Sequence, residues 1–171
     1  MEEGIKINSS LSEEELYKSL FPQVERLLSP DEPIISNLAN ITAVLKETFS
    51  KINWVGFYFL VGEKLFLGPF QGKLACTIIE ISKGVCGNAV SRKETIIVED
   101  VGKFPGHIAC DSGSRSEIVI PLIKEEKVFG VLDLDSYQLS AFNYTDKIYL
   151  EKLCKLIVEK LNFTFIDWIV K

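Results

Sequence analysis

The spacing of apolar residues changes period twice along the chain, and each change marks a change of element. Ser12-Glu13-Glu14-Glu15 has the form of a capping box, in which a hydroxyl and a carboxylate exchange hydrogen bonds with the backbone of a first helical turn. Leu16, Leu20, Val24, Leu27 and Leu28 then recur at helical spacing, which predicts a helix kinked or split at Pro22. Pro30-Asp31-Glu32-Pro33 reads as a turn, and a second helix follows with Leu38, Ile41, Ala43, Val44, Leu45 and Phe49 as its buried side. From residue 53 the helical period is lost. Residues 53–60 are aromatic and β-branched, as in a strand, and Val61-Gly62-Glu63-Lys64 turns them into a second strand at 65–67. Residues 75–81 alternate like a strand, 84–92 read as a short helix with a glycine-rich start, 95–98 as a strand and 101–116 as loop. Residues 118–123 and 127–134 form a hairpin across Lys124-Glu125-Glu126. The helical period returns in Leu150, Leu153, Cys154, Ile157, Val158 and Leu161. This order predicts an α+β domain with an antiparallel or mixed sheet and helices packed on it.

Composition narrows the reading. A chain of 171 residues fits one domain, taken as 12–171, with 1–11 as a loose arm. The net charge of −5 weighs against nucleic acid and against an anionic membrane surface as partners, since both need a basic face. The polar, acidic N-terminus lacks the features of a secretory signal, and no run of about 18 apolar residues offers a span. A cytoplasmic, reducing location is therefore expected, where the four cysteines would be catalytic, metal-binding or buried rather than a structural disulfide set.

Three of those cysteines, Cys76, Cys86 and Cys110, fall in one glycine-rich window. Cys154 lies in the apolar stripe of the last helix and reads as packing. Cys86 is near the start of the short helix, where the helix dipole favours a thiolate, and Cys110 has His107 and Arg115 as neighbours in the chain. Spacing alone leaves three readings open: redox thiols, buried thiols, or a metal site completed by His107. The intervals lack any Cys-x2-Cys pair, so no metal is expected, and His107 reads as a loop or core histidine. Asp133 and Asp135 share a strand face, where they repel unless a cation, a metal or a shared proton joins them; a solvated strand end is the simpler alternative. Glu117 opens the preceding strand and is compatible with a surface charge. Trp54, Gly56 and Tyr58 also share a face, and the glycine between two rings leaves a gap that a ligand can fill, although aromatic composition alone favours ordinary core packing.

Taken together, these segments resemble the free methionine-(R)-sulfoxide reductases, small enzymes built on a GAF domain. The resemblance spans roughly residues 16–161. It is carried by Asn53-Trp54-Val55-Gly56-Phe57-Tyr58, by 67–76 with Cys76, by Gly84-Val85-Cys86-Gly87, by Val98-Glu99-Asp100-Val101, by 104–117 with Cys110, and by Gly130-Val131-Leu132-Asp133-Leu134-Asp135-Ser136. It implies a central antiparallel sheet flanked by helices, with a ligand pocket on the opposite side of the sheet. It further implies Cys110 as nucleophile, Cys76 as resolving thiol and Cys86 as an auxiliary thiol, with the order of pairing left open between Cys76 and Cys86. Trp54 and Tyr58 would line the pocket, and Glu117, Asp133 and Asp135 would bind and polarise free methionine sulfoxide. The same resemblance implies no cofactor, thioredoxin as external reductant, and a homodimer as an open question. A non-catalytic GAF sensor that binds a small ligand is the alternative, and the cysteine triplet speaks against it.

Overall fold

The computed structural model describes residues 4–108 and 111–164. Helix α1 (Glu13–Leu27) begins at the expected capping box: the Ser12 hydroxyl accepts from the Glu15 N–H, and the Glu15 carboxylate accepts from the Ser12 N–H at 2.9 Å. Pro22 does not split this helix. Tyr17 and Leu20 before the proline and Val24 after it are buried in one core, so tertiary packing holds both halves in one element. In α2 (Ile34–Thr48) the buried side is Leu38, Ile41, Val44 and Leu45, whereas Ala43 is exposed, contrary to expectation. Two residues beyond Ile41 is about 200° around a helix, which turns Ala43 to the opposite face.

Six strands follow: β1 (Trp54–Val61), β2 (Lys64–Gln71), β3 (Ile78–Glu80), β4 (Ile96–Val98), β5 (Ser116–Lys124) and β6 (Lys127–Ser136). They form one sheet in the order β3-β2-β1-β6-β5-β4, and every neighbouring pair is antiparallel. Helix α3 (Gly84–Arg92) connects β3 to β4, and α4 (Tyr144–Lys160) closes the domain. The second strand is longer than its apolar run suggested. The third is much shorter, because residues 72–77 leave the sheet as a loop.

Alternation along the central strands sorts residues onto two faces. Val55, Phe57 and Phe59 of β1, Ile118, Ile120 and Leu122 of β5, and Leu132 and Leu134 of β6 pack against α1, α2 and α4 in the main core. The intervening residues Trp54, Tyr58, Val119 and Val131 face the other way, beneath Val85, Cys86, Ala89 and Val90 of α3. This is the expected α+β, GAF-like arrangement, with one face of the sheet covered by three helices and the other left for a pocket.

Asp146, fully buried near the start of α4, fastens the helical layer: it accepts from the Tyr17 hydroxyl at 2.7 Å and from Lys51 Nζ at 2.8 Å. Residues 5 and 6 lie along α1, where the Lys6 N–H donates to Gln23 Oε1 at 2.8 Å and Ile5 packs on the core. Among the described residues no helix is long and apolar enough to cross a membrane.

Candidate active site

Strand register assembles the site. Glu117 stands opposite Asp135, which stands opposite Trp54 on the next strand. One row on, Val119, Asp133 and Gly56 are aligned in the same way. Three carboxylates and two aromatic rings from β1, β5 and β6 therefore share one face of the sheet, and all five side chains line one cleft. Helix α3 lays Cys86 over this face, with its thiol donating to Asp133 Oδ2 at 3.3 Å. Gly84 and Val85 also line the cleft, and the exposed Leu74 and Ile108 form its rim.

The acids are deeply placed. Glu117 is 5% exposed and Asp133 6% exposed, and Asp133 Oδ1 is buried with no hydrogen bond among the described residues. Burial pushes both carboxyls well above their ordinary range, and mutual repulsion among Glu117, Asp133 and Asp135 adds to it. Asp135 is pushed up to about 6, chiefly by burial, while the Ser114 hydroxyl and His107 pull the other way. Such a cluster keeps protons to a higher pH than exposed carboxyls do. It can bind a cation, and it can give a proton to an oxygen that is gaining charge.

Asp135 gives a direct test of that electrostatic burden. Its carboxyl titrates at about 6 when folded against 3.8 ordinarily, so between these values the folded chain holds more protons than the unfolded one. The favourable contribution is complete below the unfolded value and is lost as pH rises through about 6. Asp135→Asn removes this titration. Urea denaturation is expected to show the variant gaining on wild type between pH 4 and pH 7, by on the order of 3 kcal/mol, with no such gain if Asp135 is freely solvated.

Several expectations change here. Cys86 is not an activated thiolate: it is buried, and desolvation followed by the charges of Asp133 and Glu117 pushes its thiol well above the usual value. These effects outweigh the helix dipole, which is worth about 0.3–1 kcal/mol at an ordinary helix end. The gap over Gly56 that a ligand could have filled is filled from within, as ordinary core packing predicts. A side chain there would collide with the Trp54 ring and come to 2.6 Å from Phe70 Cβ. The Trp54 and Phe70 rings are themselves stacked at 5.6 Å, while Trp54 and Tyr58, with ring centres 6.2 Å apart, both line the cleft.

Cys76 is disulfide-bonded, whereas Cys86 and Cys154 are free thiols. The Cys76 carbonyl accepts from the Tyr58 hydroxyl at 2.9 Å, and Trp54 Nε1 donates to the Lys73 carbonyl at 3.0 Å. Both aromatic side chains thus fasten the 72–77 loop while lining the cleft. Cys110 lies outside the described residues. Cys154 packs in the main core, as its place in the α4 stripe predicts.

His107 also lines the cleft, with Nε2 3.5 Å from Glu117 Oε2. Desolvation lowers its pKa and Asp135 opposes this. Its position three residues before Cys110 in a glycine-bearing loop is a sequence signal for a site residue, although a lone histidine there also reads as a loop or core residue. Cys86, Glu117 and Asp133 offer ligand atoms within 4.8 Å of one another and could hold a metal ion. That use requires the Cys86 thiolate, which burial and the neighbouring acids oppose; an organic cation requires no such deprotonation.

Comparison with known proteins converges on one family. Residues 38–161 match the family model described as a GAF domain. The chain is 51% identical over 158 residues to GAF domain-containing protein A of Dictyostelium discoideum, covering 92% of this chain and 99% of that one. It is 44% identical over 167 residues to the free methionine-R-sulfoxide reductase of Saccharomyces cerevisiae, covering 93% of each. Among solved structures, the free methionine-R-sulfoxide reductase of Neisseria meningitidis in complex with its substrate superposes with a TM-score of 0.87 at 44% identity, covering 92% of this chain and 94% of that one.

Proposed function

Because this chain belongs to the GAF-domain free methionine-(R)-sulfoxide reductases, a family of oxidoreductases, we propose that it reduces free L-methionine (R)-sulfoxide to L-methionine by thiol chemistry in the cleft beside Cys76. The observation that carries this reading is one cleft that joins buried acids with raised pKa values to walls formed by Trp54 and Tyr58, with the disulfide-bonded Cys76 next in the chain to the cleft-lining Leu74 and Ala75.

In this mechanism the Cys110 thiolate attacks the sulfoxide sulfur. The oxygen passes to the cysteine, which becomes a sulfenic acid, and the sulfide leaves as methionine. A carboxylic acid of the Glu117–Asp133–Asp135 cluster protonates the oxygen as negative charge builds on it. Cys76 then condenses with the sulfenic acid, expelling water and forming a disulfide, and a dithiol protein such as thioredoxin restores both thiols by exchange. The free, buried state of Cys86 supports Cys76 as the first resolving thiol and leaves Cys86 an auxiliary place. No cofactor takes part in these steps.

The two walls of the cleft also support selection of one epimer. The acids lie on β5 and β6, while Trp54 and Tyr58 come from β1. In the R epimer the oxygen meets the acids and the methyl group meets the rings, where methyl and sulfur pack well. The S epimer exchanges them and sets an uncompensated oxygen against the aromatic wall. With a thioredoxin system, free methionine (R)-sulfoxide is expected to be consumed and the S epimer left intact; equal consumption of both contradicts this reading.

A further inference from the structure

The redox cysteines of the proposed mechanism, Cys76 and Cys110, each stand close in the chain to a residue of one connected group, Lys73 before the first and Asp111 after the second. In the loop that precedes Cys76, Lys73 is fixed through its carbonyl by Trp54. In the other loop, Asp111 follows Cys110 directly in sequence. The carboxylate of Asp111 accepts from the Tyr137 hydroxyl at 2.6 Å through Oδ2 and from the Gly113 N–H at 2.9 Å through Oδ1. Lys73 Nζ lies 3.6 Å from Asp111 Oδ1 and 5.0 Å above the centre of the Tyr137 ring. Tyr137 is anchored in turn, its N–H donating to Asn53 Oδ1 at 2.8 Å. Lys73, Asp111 and Tyr137 therefore tie both cysteine loops to the chain just before β1 and just after β6.

We propose that this Lys73–Asp111–Tyr137 clasp is a positioning device for the resolving step: it holds the Cys110 loop against the Cys76 loop while no bond joins the sulfurs. The inference rests on the proposed roles of Cys110 and Cys76. Attack on the sulfoxide needs the nucleophile, the substrate and the proton-donating acids, but not Cys76. Disulfide formation needs the sulfenic acid and the Cys76 thiol to meet, losing water as the sulfur–sulfur bond forms. Correct mutual placement of two reacting groups is worth orders of magnitude in rate. Weakening the clasp should therefore slow the second step selectively and leave the sulfenic acid standing, open to further oxidation.

Tyr137→Phe removes the hydroxyl and keeps the ring under Lys73; Lys73→Met removes the charge from the other side. The reduced protein is mixed with one equivalent of free methionine (R)-sulfoxide. Methionine release and loss of free thiol are followed separately, and dimedone traps the sulfenic acid. Tyr137→Phe is expected to release methionine within about twofold of the wild-type rate. Its disulfide formation is expected to be at least tenfold slower, with a dimedone adduct on Cys110 that the wild type does not accumulate. Lys73→Met is expected to shift the same ratio in the same direction. An unchanged ratio of the two rates, whether both steps are normal or both are slowed, overturns the proposal. Hydrogen peroxide in place of the sulfoxide generates the sulfenic acid independently of substrate recognition. A wild-type chain that leaves the sulfoxide untouched thus refutes the proposed function, while the peroxide arm still decides the clasp.

Discussion

Methionine sulfoxide with a blocked amino group, as in its N-acetyl form or within a peptide, is expected to be turned over with a kcat/KM at least about a thousandfold below that of the free amino acid. The cause is the acid cluster. Glu117 and Asp133 are almost wholly buried, and Asp133 Oδ1 makes no hydrogen bond among the described residues. An ammonium group offers three donors and a positive charge to that site. An acylated nitrogen offers a single neutral donor and adds bulk against the rim formed by Leu74 and Ile108. Leaving a buried charged acceptor without its partner costs about 1–3 kcal/mol or more, and the lost charge pairing in a water-poor cleft adds to this. Asp133→Asn is expected to erase most of the preference by lowering turnover of the free substrate far more than that of the blocked one. Comparable kcat/KM values for free and blocked substrates in the wild type contradict this use of the acids.

The cysteine variants are expected to separate into three behaviours. Cys110→Ser should release no methionine above background, a loss of at least about a thousandfold, because a serine hydroxyl is far too weak a nucleophile at neutral pH without an activating base. Cys76→Ser should release one methionine per chain and then stall with thioredoxin, since its sulfenic acid lacks the nearby thiol that makes a disulfide for exchange. Cys86→Ser should lower steady-state turnover by less than about tenfold, since this thiol is buried and held protonated against Asp133. Single-turnover release and steady-state consumption, measured side by side, distinguish the three. Retention of full single-turnover release by Cys110→Ser contradicts the assignment of the nucleophile.

The elements with an unbroken period were legible in the sequence. The α1 capping box, the α4 stripe and the hairpin of β5 and β6 all occur near their expected places. The shared face of Asp133 and Asp135 followed from period two alone. What the sequence did not display was depth. Glu117 looked compatible with a surface charge, yet the register of β5 on β6 sets it opposite Asp135 under α3, where it is buried. Cys86 looked activated by its helix, but how closely α3 lies on the sheet decides its chemistry, and that distance is a tertiary property. Gly56 looked like room for a ligand because sequence spacing cannot say where a tryptophan ring folds; here Trp54 leans over its own strand. The start of α4 was missed because Asn143 and Asp146 form their capping box ahead of the apolar stripe. Tyr137 and Lys73 carried no signal at all, since nothing local in the chain marks two residues that meet through a third.

The account depends above all on where the sulfur–sulfur bond forms when substrate is reduced. The fully reduced protein, given one equivalent of free methionine (R)-sulfoxide and no reductant, is then alkylated, digested and mapped by mass spectrometry. One methionine per chain together with a peptide pair linking Cys76 to Cys110, and Cys86 alkylated as a free thiol, is the predicted result. Methionine formed while Cys110 remains an alkylatable thiol, or no methionine formed at all, contradicts it.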